Sequence, residues 1–166
     1  MAHNINGFIG PIEELQRLTT GVKSARIAPL DVEPYGFLPY THELSTELGN
    51  KWYDLGRQAQ VPIVHVETDY FGGAGEQSAA YWDGKGAKTF KAKKSGAIDQ
   101  ALKLLGVQAL DGCDEYDTLG LGNYRNNVDW AKSADTSEEE ERLEALRVLD
   151  ELRKTHDPES SAETSQ

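Results

Sequence analysis

The residues best placed to do chemistry lie close together in ETDYFGGAGEQSAAYW, Glu67 to Trp82. Glu67, Asp69 and Glu76 bring carboxylates, Gly72 to Gly75 a glycine-rich turn, and Phe71 and Trp82 aromatic walls. Side chains alternate along a strand, so Ile63, His65, Glu67, Asp69 and Phe71 share one face and Val64, Val66, Thr68 and Tyr70 the other. With GGAG as a four-residue hairpin loop, Phe71 lies opposite Glu76, Asp69 opposite Ser78, Glu67 opposite Ala80 and His65 opposite Trp82. Glu67, Asp69, Glu76 and Ser78 then gather on a polar face rimmed by Phe71 and Trp82. Two chemistries fit such a face. An acidic groove with aromatic walls can dock a basic side chain of a partner, which relieves the repulsion between Glu67 and Asp69. Paired carboxylates at about 5–9 Å can also run glycosidase-type hydrolysis, with Glu76 or His65 as the partner of Glu67. A merely solvated sheet face is the plain alternative.

Other chemistries fail on detail. The glycine run lacks the G-x-x-x-x-G-K-[ST] pattern, and the residues after it read as strand rather than helix, so it is not a phosphate loop. His3, His42, His65 and His156 are scattered, and the Asp111, Asp114, Asp117 spacing misses the calcium-loop frame, so neither a metal nor a cofactor is expected. No G-x-S-x-G elbow is present. Cys113 sits among Asp111, Asp114 and Glu115, which disfavours a thiolate.

The elements that must position the hairpin emerge from periodicity. Residues 4–9 and Ala25 to Leu30 read as short strands, with a Pro11-initiated helix between them. After a loop over residues 31–39 with an extended exit, Thr41 caps a helix to about Gln58 whose Leu44, Leu48, Trp52 and Leu55 form an apolar stripe, weakened by Gly49 and Gly56. Val61 to Phe71 and Glu76 to Trp82 are the hairpin strands, and Lys88 to Lys93 a lysine-blunted edge strand. Ser95 caps a helix carrying Ile98, Ala101, Leu102 and Leu105, closed by Gly106. Residues 107–131 lack a period and read as a long loop, whose Tyr124, Arg125 and Trp130 either join a site or, as is expected first, pack as an ordinary lid. Ser137 and Glu140 match a capping box for an acidic helix that ends at Asp157-Pro158, ahead of a disordered tail.

The 166 residues suit one domain with a tail. A single cysteine, the absence of a basic and apolar leader in MAHNINGFIG, and the lack of any run of roughly 20 apolar residues point to a cytoplasmic protein. The net charge of −11 argues against nucleic acid and against anionic membranes as partners. Residues 135–166 hold eleven acids and four bases, and so carry −7 of that charge.

Two pieces, ETDYFGG-x-G-x-QSA at residues 67–79 and LGLG-x-YR at residues 119–125 followed by Trp130, resemble motifs of a group of small bacterial cytosolic proteins over roughly residues 5–131. The resemblance brings no catalytic residue. The expected fold is α+β. It comprises a mostly antiparallel sheet of four to five strands with helices packed on one face (residues 1–131), an acidic helix (residues 132–156) and a tail (residues 157–166). The expected function is non-enzymatic: an immunity-like or inhibitor-like protein docking a basic partner such as a toxin through Glu67, Asp69, Phe71, Glu76, Ser78 and Trp82. A small hydrolase using the paired carboxylates is the alternative.

Overall fold

The strongest strand pattern in the chain becomes β4 (Ile63–Phe71), the fourth strand of a computed structural model that describes residues 2–72, 74–93 and 95–156. The expected disordered tail lies outside the described residues. Around β4 an antiparallel sheet is built from β1 (Asn6–Pro11), β2 (Ala28–Pro29), β3 (Tyr35–Pro39), β5 (Ala74–Trp82) and β6 (Ala87–Ala92) in the order β2-β3-β1-β4-β5-β6. The fold is α+β as expected, with six strands rather than four or five. The lysine-bearing β6 is an edge strand, where exposed charge deters pairing with other chains.

Both faces of the sheet carry apolar side chains, because β1, β3 and β4 are buried on alternate and intervening positions alike. One face contributes Ile9, Phe37, Val64, Val66 and Ala79 to a cluster with Ile98, Ala101 and Leu102 of α4 (Ala97–Leu105), and with Leu119, Leu121, Trp130 and Ala134. The other contributes Phe8, Leu38 and Ile63 to a cluster with Leu15 of α1 (Ile12–Leu18), Leu44 and Leu48 of α2 (His42–Leu48), and Trp52 and Leu55. The expected helix layer is thus joined by a second layer on the opposite face.

Several local signals act as read. Thr41 caps α2, its hydroxyl oxygen accepting the Leu44 N–H at 3.2 Å. The weakening at Gly49 appears as a break: α2 gives way to a 3₁₀ segment (Gly49–Asp54) and a last turn, α3 (Leu55–Gln58). Gly106 closes α4 with a left-handed φ of 105°.

Other signals are overridden. Ser95 does not cap α4; its N-cap is Gly96, and the Ile98 N–H is taken by Gln77 Oε1 from β5 at 3.3 Å. The stretch expected as loop contains α5 (Glu115–Thr118), capped by Asp114, and the start of α6 (Asn127–His156). Asn126 Oδ1 accepts the Asp129 N–H at 2.9 Å, and Asn126 Nδ2 reaches back to Asp129 Oδ2. The cap therefore sits at Asn126 and Asp129, and the Ser137–Glu140 pattern falls inside the helix. Residues 1–134 form one compact unit and residues 135–166 a second.

Candidate functional site

Phe71 pairs with Ala74, so the hairpin turns through two residues rather than four, with Gly72 at a φ of 62°. A two-residue connection with positive φ matches the twist of the flanking strands. Gly75 is not turn but strand: it lies opposite Tyr70, and a Cβ there would meet the Tyr70 ring at 2.7 Å. Each expected partner consequently moves by two. Asp69 faces Glu76, Glu67 faces Ser78, His65 faces Ala80 and Ile63 faces Trp82. A shift of two keeps both faces, whereas a shift of one would have inverted β5.

The outer face divides along its length. At the turn end, Glu67, Asp69 and Glu76 are exposed, Ser78 is half-buried, and Phe71 stands 79% exposed. Asp69 and Glu76 are direct cross-strand neighbours, an arrangement that is unfavourable without a counter-charge. Among the described residues none of these three carboxylates takes part in an ion pair or a hydrogen bond. Lys91 of β6 pairs with Ser78 and is the same-face base on the next strand.

At the other end the same face is core. Trp82 packs into the cluster of Trp52, Leu55 and Ile63 and sits over Gly56 of α3, where a Cβ would collide with its ring. It is therefore not a rim of the acidic patch. His65 lies between these zones. Its ring meets Phe8 at 5.1 Å and Trp52 at 6.0 Å, Trp52 stacks on Tyr40 at 4.2 Å, and Nε2 lies 2.8 Å from Asn6 Oδ1. Burial pushes the imidazole down to about 4, so it is a neutral donor to Asn6 at neutral pH.

The inner face holds a polar joint not anticipated from the sequence. Thr68 Oγ1 accepts the Ile5 N–H at 3.1 Å and lies 2.8 Å from His3 Nδ1, while His3 Nε2 lies 2.8 Å from the Tyr116 hydroxyl. The Tyr116 N–H donates to Asp99 Oδ1 at 2.9 Å. Burial raises the Tyr116 hydroxyl and, with help from Asp114 and Glu115, the Asp99 carboxyl; it lowers His3. The Tyr70 hydroxyl is buried without a hydrogen-bond partner among the described residues, and the nearby Gln77 carbonyl is taken by Ile98. Thr68 and Gln77 of the ETDYFGG-x-G-x-QSA stretch thus tie the hairpin to the N-terminal segment, through it to α5, and to α4. Their one sequence signal was polarity at core-facing positions.

A depression of about 390 Å³ lies elsewhere, lined by Tyr81, Asp83, Lys85, Lys88 and Leu104, and the Asp83 carboxylate there already accepts the Lys85 and Gly86 N–H groups. Among the described residues no group of three or more His, Cys, Asp or Glu side chains is placed to hold a metal ion, and no helix is long and apolar enough to cross a membrane. No known protein family, curated protein or solved structure matches the chain.

Proposed function

We propose that the protein is a non-enzymatic binding protein that docks a basic segment of a protein partner on the turn end of the β4–β5 hairpin, in the manner of an immunity or inhibitor protein occluding a toxin. The observation that carries this reading is the grouping of three carboxylates, without an ion pair among the described residues, around an exposed Phe71 on a two-stranded element. A lysine or arginine placed between Asp69 and Glu76 relieves their repulsion, and its aliphatic stem can lie on the Phe71 ring. Charge complementarity of this kind speeds encounter and sets specificity. Paired-carboxylate hydrolysis, the alternative from the sequence, needs an acid shielded from water; Glu67, Asp69 and Glu76 stand exposed, which favours binding.

The test is affinity capture from native cell extract with the intact protein, with Asp69→Lys/Glu76→Lys and with Phe71→Ala. A stoichiometric basic protein is expected on the unaltered chain, eluting as salt rises. Charge reversal is expected to weaken its capture at least about tenfold, roughly 1.4 kcal/mol. Equal capture by all three chains refutes the site, and no retained protein at low salt refutes the function.

A further inference from the structure

The sheet ends in two edges that differ in what they can accept. β2 is two residues long and includes Pro29, which has no N–H to give. β6, at the other end, runs six residues in unbroken register against β5, pairing Trp82 with Ala87 and Gln77 with Ala92, and contains no proline. No strand lies beyond it among the described residues. Alternate N–H and C=O groups of an edge strand point away from the sheet, so β6 offers a row of backbone donors and acceptors to an added strand. Its Ala87, Lys88, Thr89 and Lys91 are exposed.

Charge and shape say which strand fits. Lys85, Lys88, Lys91, Lys93 and Lys94 fall within ten residues that hold no acid, in a chain of net charge −11. Among the described residues Lys85, Lys88, Lys91 and Lys93 form no ion pair. Such lysines keep out a second β6 or any basic strand, and they admit an acidic one. Lys88 lies opposite Tyr81 on the inner face, its ammonium 5.6 Å from the centre of the Phe90 ring, whereas Lys91 lies opposite Ser78 on the outer face. A strand paired with β6 therefore meets one lysine on each face, three residues apart. The depression of about 390 Å³ opens at the turn end of β6, where Tyr81, Lys88 and the 44% exposed Leu104 line it. We propose that β6 accepts an extended acidic segment of a protein partner as a seventh, antiparallel strand, with acids opposite Lys88 and Lys91 and an apolar side chain at the depression. Backbone pairing supplies the affinity, and the lysines and the depression supply the selectivity. The contact is separate from the acidic tip of the β4–β5 hairpin and opposite to it in charge. A nucleic acid fits less well. Bases need exposed rings to stack on, whereas Phe90 is half-buried against the inner core, and the net charge of the chain repels a polyanion at range.

The test uses the intact protein and a labelled peptide with blocked ends, Glu-Thr-Glu-Val-Thr-Glu-Thr-Leu. Antiparallel pairing sets its glutamates opposite Lys93, Lys91 and Lys88 and its leucine near the depression. Fluorescence anisotropy at low ionic strength is expected to show saturable binding, with the largest amide shifts in nitrogen–proton spectra on residues 87–92. The same peptide N-methylated along its backbone keeps the charge and loses the donors, and is expected to bind at least about tenfold more weakly, roughly 1.4 kcal/mol. Lys88→Glu/Lys91→Glu, at exposed positions and with an unchanged circular dichroism spectrum, is expected to weaken the parent peptide as much. Four results overturn the proposal: no saturable binding up to millimolar peptide, equal binding of the N-methylated peptide, largest shifts outside β6, or tighter binding of a thymidine oligonucleotide of the same length.

Discussion

His65 carries a hydrogen bond and no charge, and this makes it a measurable point in the site's surroundings. The unfolded imidazole takes up a proton near pH 6.5, the folded one only near 4. Between those values the unfolded chain binds more protons, so stability rises with pH across that window. The contribution is complete above about pH 6.5 and is lost as pH falls toward 4. At 1.36 kcal/mol per unit it amounts to roughly 3 kcal/mol. Urea unfolding at pH 7 and pH 4.5 is expected to show a steeper loss for the parent than for His65→Gln, which keeps an N–H donor for Asn6. Identical slopes would mean that His65 is not held neutral by burial. The same scale explains Trp82. Nothing in its own sequence position distinguishes it from Phe71, since both share one face of the hairpin. Gly56, distant in sequence, opens the slot that draws Trp82 into the core.

Among elements, the legible parts were those set by short-range patterns. Alternation gave the faces of β4 and survived an error in loop length, because two residues of slip preserve parity. The Thr41 cap and the Gly106 closure were equally plain. What could not be read was where a distant group replaces a local one. Gln77 caps α4 in place of Ser95, and Asn126 starts α6 ahead of the more conspicuous Ser137. Part of the candidate site was legible in the same sense: Glu67, Asp69, Phe71, Glu76 and Ser78 do share a face, while the helices that claim Trp82 are a matter of tertiary packing. The dependence of β5 on α3 gives a prediction of its own. Gly56→Ala is expected to force the Trp82 ring aside and to destabilise the protein by about 1–3 kcal/mol, a typical cost of overpacking. Denaturant midpoints would check it, and a neutral result would place the ring elsewhere.

The molecule divides its labour by unit. Residues 1–134 contain both apolar clusters, including Trp130 and Ala134 from the first turns of α6, and residues 135–155 add no buried side chain. A chain ending after Ser137 is expected to keep one cooperative thermal transition, with a midpoint within about 4 °C of the parent at micromolar concentration, as befits a change under about 1 kcal/mol. Calorimetry decides this, and loss of cooperativity would show that the second unit supports the first. Within residues 1–134 the sheet is covered unevenly. Around Ile63 and Trp82 it has helices on both sides; around Asp69 and Glu76 it has cover only on the inner side, over Thr68 and Gln77. That asymmetry fixes where the sheet breathes. The strand ends around Asp69 and Glu76 are expected to exchange their amide hydrogens before those around Ile63 and Trp82, which hydrogen exchange would check. Under the proposed binding reading, a partner at the acidic tip would have to order a segment covered on one side only, and the entropy of that ordering would temper its affinity.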